Sequence, residues 1–138
     1  MNKEFVKYET ALALKELGFD EPCFGIYYGN GDNEFMGYSL ESSKELTNKF
    51  KELGHIPTPL YQQTFRWFRE KYNIQGYIYS STVRGNTEKT KQFTGYIWNI
   101  NGIDTPFLST DARDELHDTY EKAESACLNK LIEICKNK

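Results

Sequence analysis

Two runs of bulky residues on either side of a polar loop constrain the fold of this 138-residue chain more than any other feature. The first run, IQGYIYSS, begins at Ile74, and the second, QFTGYIWNI, ends at Ile100; the loop between them contains RGNTEKTK. Short runs rich in aromatic and β-branched residues are typical of strands, and a loop with a Gly-Asn pair is typical of a hairpin. These segments therefore predict a long antiparallel hairpin in the second half of the chain.

The predicted register of this hairpin pairs Tyr79 with Tyr96, and antiparallel pairing then places isoleucines on one face and four large rings on the other. The four rings are Tyr77, Tyr79, Tyr96 and Trp98. If the helices pack on the isoleucine side, the rings form an exposed platform that stacks a base or pairs with another protein surface. If the helices pack on the ring side, the rings are core. The sequence leaves these alternatives open.

A helix and a shorter hairpin are predicted in the first half of the chain. Apolar residues at helical spacing from about Val6 to Leu17 indicate a helix that Gly18 ends. CFGIYY and EFMGYSL flank GNGDN, whose residues tolerate the positive φ angles of a hairpin turn. The capping-box spacing of Ser42 and Glu45 predicts a short helix up to Gly54, and the prolines of HIPTP end it.

Two more helices are predicted on either side of the long hairpin, one from about Pro59 to Tyr72 and one from about Thr119 to Lys136. Asp118 and Glu121 are placed to cap the second of these. Together the segments predict a single α+β domain over 1–138. Its antiparallel sheet has about four strands from two hairpins, and three to four helices pack mainly on one face of the sheet.

Charge restricts the classes of function. The formal net charge of −3 disfavours a nucleic-acid-binding protein, because such binding depends on cationic contacts with phosphates. The charges are also segregated: residues 62–91 hold six Lys or Arg against two Glu, whereas residues 104–124 hold seven acids against two bases. This segregation predicts either an anionic ligand at the basic pole or a twofold homodimer.

The sequence contains neither a signal-peptide core nor a run of about 20 apolar residues, the length that crosses a bilayer. A soluble cytoplasmic protein without a membrane partner is therefore expected. The three cysteines have no metal-like spacing, and Cys127 and Cys135 lie in the apolar pattern of the last helix, which predicts reduced, structural thiols.

Three stretches, KYETALALKELGFDEPCFG, PLYQQTFRWFREKY and TYEKAESACLNKLIEICK, cover both ends and the middle of the chain. They resemble a family of small uncharacterised proteins from phages and prophages of Bacteroidetes-type bacteria. The resemblance implies a phage accessory protein made in a bacterial cytoplasm. It brings no activity, cofactor or site residue to particular positions of this chain.

The first candidate ligand site lies on the helix before the long hairpin. Gln62, Arg66 and Arg69 follow one another at spacings of four and three, so they share one side of the helix, where two guanidinium groups could hold a phosphate or carboxylate. The alternative is a solvated face on which Arg66 pairs with Glu70. Trp67 is expected at the boundary of the core, or else as a ring that stacks on a ligand.

A second candidate is the loop RGNTEKTK, where Arg84, Lys89 and Lys91 could bind an anion beside the rings; the alternative is a solvated hairpin loop. Acidic residues at helical spacing could be imagined as a metal site, but four acids without other ligand types predict a solvated face. These acids are Asp111, Asp114, Glu115 and Asp118.

No catalytic motif accompanies His55 or His117, and no Walker loop is present, so we expect a non-catalytic binding protein without a cofactor. One hypothesis is a counter-defence protein that sequesters an anionic small molecule such as a host signalling nucleotide. The alternative is a protein-interaction module that inhibits or regulates a host or phage protein. Rings and arginines that converge in a concave pocket would favour the first hypothesis, and a flat ring face the second.

Overall fold

The computed structural model describes most of the chain, in the segments 2–28, 35–37, 54–83, 93–102, 105–109 and 116–138. These residues form helices and antiparallel strands, which confirms the predicted α+β class. The chain length predicts one domain; the contacts within the chain divide it into two compact units, Met1–Thr64 and Phe65–Lys138.

The first unit contains a 3-10 helix at Asn2–Glu4, helix α1 at Tyr8–Glu16 and a sheet of three short strands. The strands are β1 (Gly25–Tyr27), β2 (Phe35–Gly37) and β3 (Ile56–Thr58). Their order is β2-β1-β3, and both pairings are antiparallel. The first predicted hairpin is therefore present, with an additional strand.

The additional strand β3 lies in HIPTP, where the sequence predicted only a break. Pro57 has no backbone N–H to donate. It is tolerated because β3 is at the edge of its sheet, where the open side of the strand needs no hydrogen bond to a neighbouring strand. The buried Thr58 hydroxyl donates to the carbonyl of Val6 at 2.8 Å, and the Val6 N–H donates to the carbonyl of Pro59 at 3.1 Å. These bonds attach the N-terminal segment to β3.

Helix α2 (Tyr61–Tyr72) contains the boundary between the units, and the second unit continues with a sheet and a final helix. The sheet consists of β4 (Ile74–Val83), β5 (Phe93–Gly102) and β6 (Thr105–Ser109), paired antiparallel in that order. The long hairpin is thus confirmed. The strand β6 lies in a segment for which the sequence predicted no strand, so the described strands form two three-stranded sheets and not one sheet of four.

The pairing register of the long hairpin differs by one residue from the predicted register, because Tyr79 pairs with Ile97 and not with Tyr96. Paired residues share a face of the sheet, so the four predicted rings are divided between two faces. Tyr77 and Tyr79 lie on one face, and Tyr96 and Trp98 lie on the other. The prediction of a four-ring face was wrong because both strands carry bulky residues on both faces, so alternation does not specify the register.

The final helix, α3 (Tyr120–Lys136), packs on the face of the hairpin that carries Gly76 and Trp98. A Cβ atom placed on Gly76 would lie 2.8 Å from Cys127 Sγ and 3.0 Å from Leu131 Cδ1. Glycine therefore allows the strand to approach the helix closely. The residues buried in this core include Ile74, Trp98, Ile100, Ala123, Cys127, Leu128, Leu131, Ile132 and Cys135.

The cap of α3 is Thr119, whose hydroxyl accepts a hydrogen bond from the N–H of Lys122 at 3.2 Å. The predicted cap, Asp118, instead forms an exposed ion pair with the Lys122 ammonium group at 3.1 Å. Thr119 directly precedes the first residue of the helix, so its hydroxyl is closer to the free N–H groups than the Asp118 carboxylate. The predicted cap was therefore one residue too early.

Several predicted features lie outside the described residues: the GNGDN turn, the body of the helix predicted between Ser42 and Gly54, Arg84, Lys89, Lys91, Asp111, Asp114 and Glu115. Within the described part of the chain, no helix combines the length and the apolar character that crossing a membrane requires.

We expect Gly76→Ala to lower the free energy of unfolding by about 1–3 kcal/mol, because the new methyl group overlaps with Cys127 Sγ. Cys127→Ala alone should cost about 1 kcal/mol from lost packing. The double variant should lose less than the sum of the two, because removing the sulfur makes room for the methyl group. Urea unfolding of all four proteins measures the coupling. Strictly additive losses would contradict the close approach of β4 and α3.

Candidate functional site

An open cleft of about 390 Å³ lies in the second unit, where α2 ends and β4 begins. The last residues of β5 form its other side. Its described lining is polar at all but two positions, and the polar groups are one guanidinium and three side-chain amides. The lining residues are Arg69, Asn73, Ile74, Gln75, Asn101 and Gly102.

A single residue, Asn73, connects α2 to β4 and gives the cleft its shape. Its φ angle of 54° lies in the left-handed region, which ends a helix at once and turns the chain into the strand. Asparagine is among the few residues other than glycine that adopt this conformation readily. Across the cleft, the pairing of β5 with β6 is irregular between Ile100 and Gly102. Both sides of the cleft thus deviate from regular structure at the same end of the hairpin.

Arg69 is the charged residue of the described lining. Its side chain is exposed, and no described residue forms an ion pair with it. Arg66, one turn earlier, lies outside the lining; its Nε is 4.0 Å from Glu70 Oε1, which is the solvated pair named above as the alternative. Gln62 is exposed and also lies outside the lining. Of the two arginines of the predicted fork, only Arg69 lines the cleft.

Trp67 is a core residue with 5% of its surface exposed. Its ring makes edge contacts with Phe68 and Tyr72, at centroid distances of 5.1 and 5.5 Å. The Lys71 ammonium group lies 4.9 Å from the Trp67 ring centroid, as in a cation–π contact. The boundary position expected for Trp67 matches this packing, and the ring is not available to stack on a ligand.

The hairpin face opposite α3 carries the exposed tyrosines, and we call it the tyrosine face. Tyr77 and Tyr79 are 39% and 40% exposed, and their rings lie 6.3 Å apart at an angle of 29°. Between them Asn99 is buried, and its Nδ2 donates to the Tyr77 and Tyr79 hydroxyls at 3.4 and 3.3 Å. Both hydroxyl oxygens serve as acceptors in these bonds, which leaves both O–H protons available to a ligand.

Asn99 also has a buried Oδ1 atom without a partner in the described structure. If the Asn99 side-chain amide were rotated by 180°, its oxygen would accept hydrogen bonds from both tyrosine hydroxyls. Its nitrogen would then lack a partner. In either orientation half of a buried amide lacks a hydrogen bond. Such a group is uncommon in a folded protein.

The cleft continues directly into the tyrosine face. Gln75 pairs with Asn101 at the cleft, and the next pair on the same face joins Tyr77 to Asn99. Two residues along an antiparallel strand span about 7 Å, so the first ring stands next to the cationic cleft. The Gln75–Asn101 pair of the cleft lining is thus one residue pair from Tyr77.

Tyr96 and Trp98 do not belong to this surface. The Tyr96 ring contacts Tyr120 of α3 edge-on at 5.8 Å, and Trp98 is 9% exposed. The one-residue difference in register places both rings on the face that α3 covers.

Asn73, Gln75 and Asn101 were not predicted as site residues. The signal available in the sequence was an asparagine directly between a helical pattern and a strand pattern, which is typical of a left-handed helix end. Nothing in the sequence placed Asn101 opposite Gln75, because that pairing depends on the register.

The three cysteines are buried and reduced, and both histidines make contacts within the fold. Burial, together with the Glu124 carboxylate, raises the pKa of the Cys127 thiol to about 12, so the thiol is protonated at neutral pH. His55 contacts the Tyr28 ring at 4.9 Å, and His117 is held by backbone bonds to Tyr96. Among the described residues, no group of three or more His, Cys, Asp or Glu is placed to hold a metal ion.

Comparison of the chain with protein-family models, curated proteins and solved structures gave no match. The chemistry of the cleft and of the tyrosine face is therefore the basis for a functional proposal.

Two substitutions at Asn73 separate the backbone role of this residue from its side-chain role. Asn73→Gly keeps the left-handed conformation and should change the free energy of unfolding by less than about 0.5 kcal/mol, whereas Asn73→Ala should cost about 1–2 kcal/mol. Thermal and urea unfolding measure the difference. Equal stability of the two variants would show that the left-handed conformation is not required here.

We expect Cys127 to resist iodoacetamide at pH 8 in the folded protein. Raising the pKa from 9.0 to about 12 lowers the thiolate fraction by about a thousandfold, and the side chain is fully buried. In 8 M urea the same cysteine should react at the rate of an ordinary thiol. Peptide mass spectrometry follows this site separately from Cys23 and Cys135. Rapid labelling of Cys127 in the folded protein would show that the helix α3 core opens readily.

Proposed function

We propose that this chain is a non-catalytic binding protein that sequesters an anionic small molecule in the cleft at Arg69. One observation carries the proposal: an exposed guanidinium without a described counter-ion lies in a concave site whose remaining polar side chains are amides. The neighbouring Arg66 lies outside the cleft and has an acidic partner in Glu70. Of these two arginines, the one in the cleft is the one without a described counter-ion.

The described lining suits a phosphate or carboxylate group. A guanidinium offers planar N–H donors that match two oxygens of such an anion, and amide side chains add further donors at adjustable positions. The described lining holds no Asp or Glu that would repel the anion. The lining also includes Gly102, whose lack of a side chain lets a ligand approach the end of β5.

A nucleotide is the anion that this surface fits best, since the exposed Tyr77 ring stands next to the cationic cleft. Aromatic side chains beside a positive groove are a common way to bind bases and phosphates together. The choice of a host signalling nucleotide as the ligand is part of this proposal and rests only on the phage context expected from the sequence. The biological role would then be counter-defence in the cytoplasm of an infected bacterium.

The second candidate is a protein-interaction module that binds a host or phage protein through the tyrosine face. The exposure of Tyr77 and Tyr79 favours it, because exposed tyrosines are enriched at protein interfaces. The homodimer predicted from the segregated charges belongs with this candidate and stays a prediction. The concave site at Arg69, whose Gln75–Asn101 pair is one residue pair from Tyr77, favours the small-molecule proposal over it.

Arg69→Gln should weaken binding of the anion at least about tenfold, because one charge-assisted contact worth about 1.5–3 kcal/mol is lost. The probe is the tightest binder found by thermal shift among inorganic phosphate, AMP, ATP, 3′,5′-cyclic AMP and cyclic di-AMP, measured afterwards by calorimetry. Arg66→Gln is the matched control: it removes the same charge from the same helix and should change the affinity less than twofold.

Neither substitution should move the melting temperature, because both side chains are exposed. Equal losses in the two variants would indicate a general effect of charge and not a site. Unchanged affinity of the Arg69→Gln variant, or no binding to any member of the panel, would overturn the proposed function and favour the protein-interaction candidate.

A further inference from the structure

The charge of the cleft and the position of the tyrosines restrict the class of ligand. The described lining carries one formal positive charge, on Arg69, beside three amides. One guanidinium neutralises one negative charge in a bidentate contact. A phosphodiester carries one negative charge, whereas a triphosphate carries several and is usually bound with lysine or arginine clusters and a carboxylate-held magnesium ion. The charge of the lining therefore matches a diester.

The base of such a ligand has a defined place. Gln75 and Asn101 form the last polar pair at the cleft, and Tyr77 stands one pair further along the same face, about 7 Å away. This separation is comparable with the distance between the phosphate and the base of one nucleotide. A phosphate bound in the cleft beside Gln75 and Asn101 would thus place its base over the exposed Tyr77 ring.

The buried amide of Asn99 holds this ring in position. Its Nδ2 donates to both tyrosine hydroxyls, so Tyr77 is fixed on the sheet before a ligand arrives and little side-chain entropy is lost on binding. Asn99 acts here as a positioning residue, since its amide is 7% exposed and contacts the rings.

We propose that the ligand is a nucleotide whose phosphate is a diester, as in a 3′,5′-cyclic mononucleotide, with the phosphate on Arg69 and the base stacked on Tyr77. This inference rests on the proposed function and specifies the ligand of the same site. It requires no metal ion and no covalent step.

The test compares the 3′,5′-cyclic forms of AMP, GMP, CMP and UMP with 5′-AMP, with ATP plus magnesium, and with dimethyl phosphate, a diester without a base. NMR titration measures the weak binders and calorimetry the tight ones. The tightest cyclic nucleotide should bind at least about tenfold more tightly than each of the other three probes, because only it combines one charge with a base.

Substitutions of Tyr77 then test stacking. Tyr77→Phe keeps the ring and should retain the affinity for the cyclic nucleotide within about threefold, whereas Tyr77→Leu should lower it at least about fivefold. Neither should change the affinity for dimethyl phosphate. Tyr120→Leu is the matched control, since it removes a ring of similar exposure from α3 and should leave binding unchanged.

The possible failures are distinguishable. If Arg69→Gln abolishes binding of anions but ATP with magnesium binds more tightly than every cyclic nucleotide, the anion site stands and the diester inference is wrong. If dimethyl phosphate binds as well as the cyclic nucleotides, or Tyr77→Leu binds them normally, no base is stacked there. If Tyr77→Phe loses as much as Tyr77→Leu, the ring itself does not supply the binding, which also overturns stacking. If no probe depends on Arg69, the proposed function itself fails.

Discussion

The close approach of α3 to β4 at Gly76 determines which face of the long hairpin is buried. The sulfur of Cys127 occupies the space that any larger side chain at Gly76 would need, so this face lies directly against the helix. The opposite face then carries Tyr77, Tyr79 and the cleft at its end. A glycine and a buried cysteine with no chemistry of their own thus decide where the candidate ligand surface lies. The packing of α3 on β4 therefore determines the position of the candidate ligand surface.

The cleft depends in turn on how abruptly α2 ends. A helix that ended through a longer loop would separate Arg69 from β4, whereas the left-handed Asn73 places the last turn of the helix beside the first pair of the strands. The same residue contributes its amide to the lining. Backbone conformation and ligand chemistry are therefore combined in one position, and only a variant that keeps the conformation, such as glycine, can separate them.

Sequence patterns predicted the parts of the fold that depend on local order. The helix ending at Gly18, the long hairpin and the final helix were found because apolar spacing and end signals are contained within each segment. The register was not predicted because bulky residues occur on both faces of the hairpin. Which face is buried depends on the contact between Gly76 and Cys127, which are far apart in sequence. Arg69 was predicted as a site residue from its helix position alone. Its amide partners could not be predicted without the register.

Departures from ordinary structure accumulate at the end of this hairpin. Orphan polar atoms alone do not mark a site, since Gln63 Oε1 and His117 Nε2 are also buried without a partner among the described residues. At the hairpin end, however, a left-handed Asn73, a half-satisfied Asn99 and a cation without a described counter-ion, Arg69, lie within a few residue pairs of one another. Each is unfavourable or neutral for stability, and chains retain such local costs where function requires them. Their concurrence on one surface is therefore a stronger indication of a binding site than any one of them.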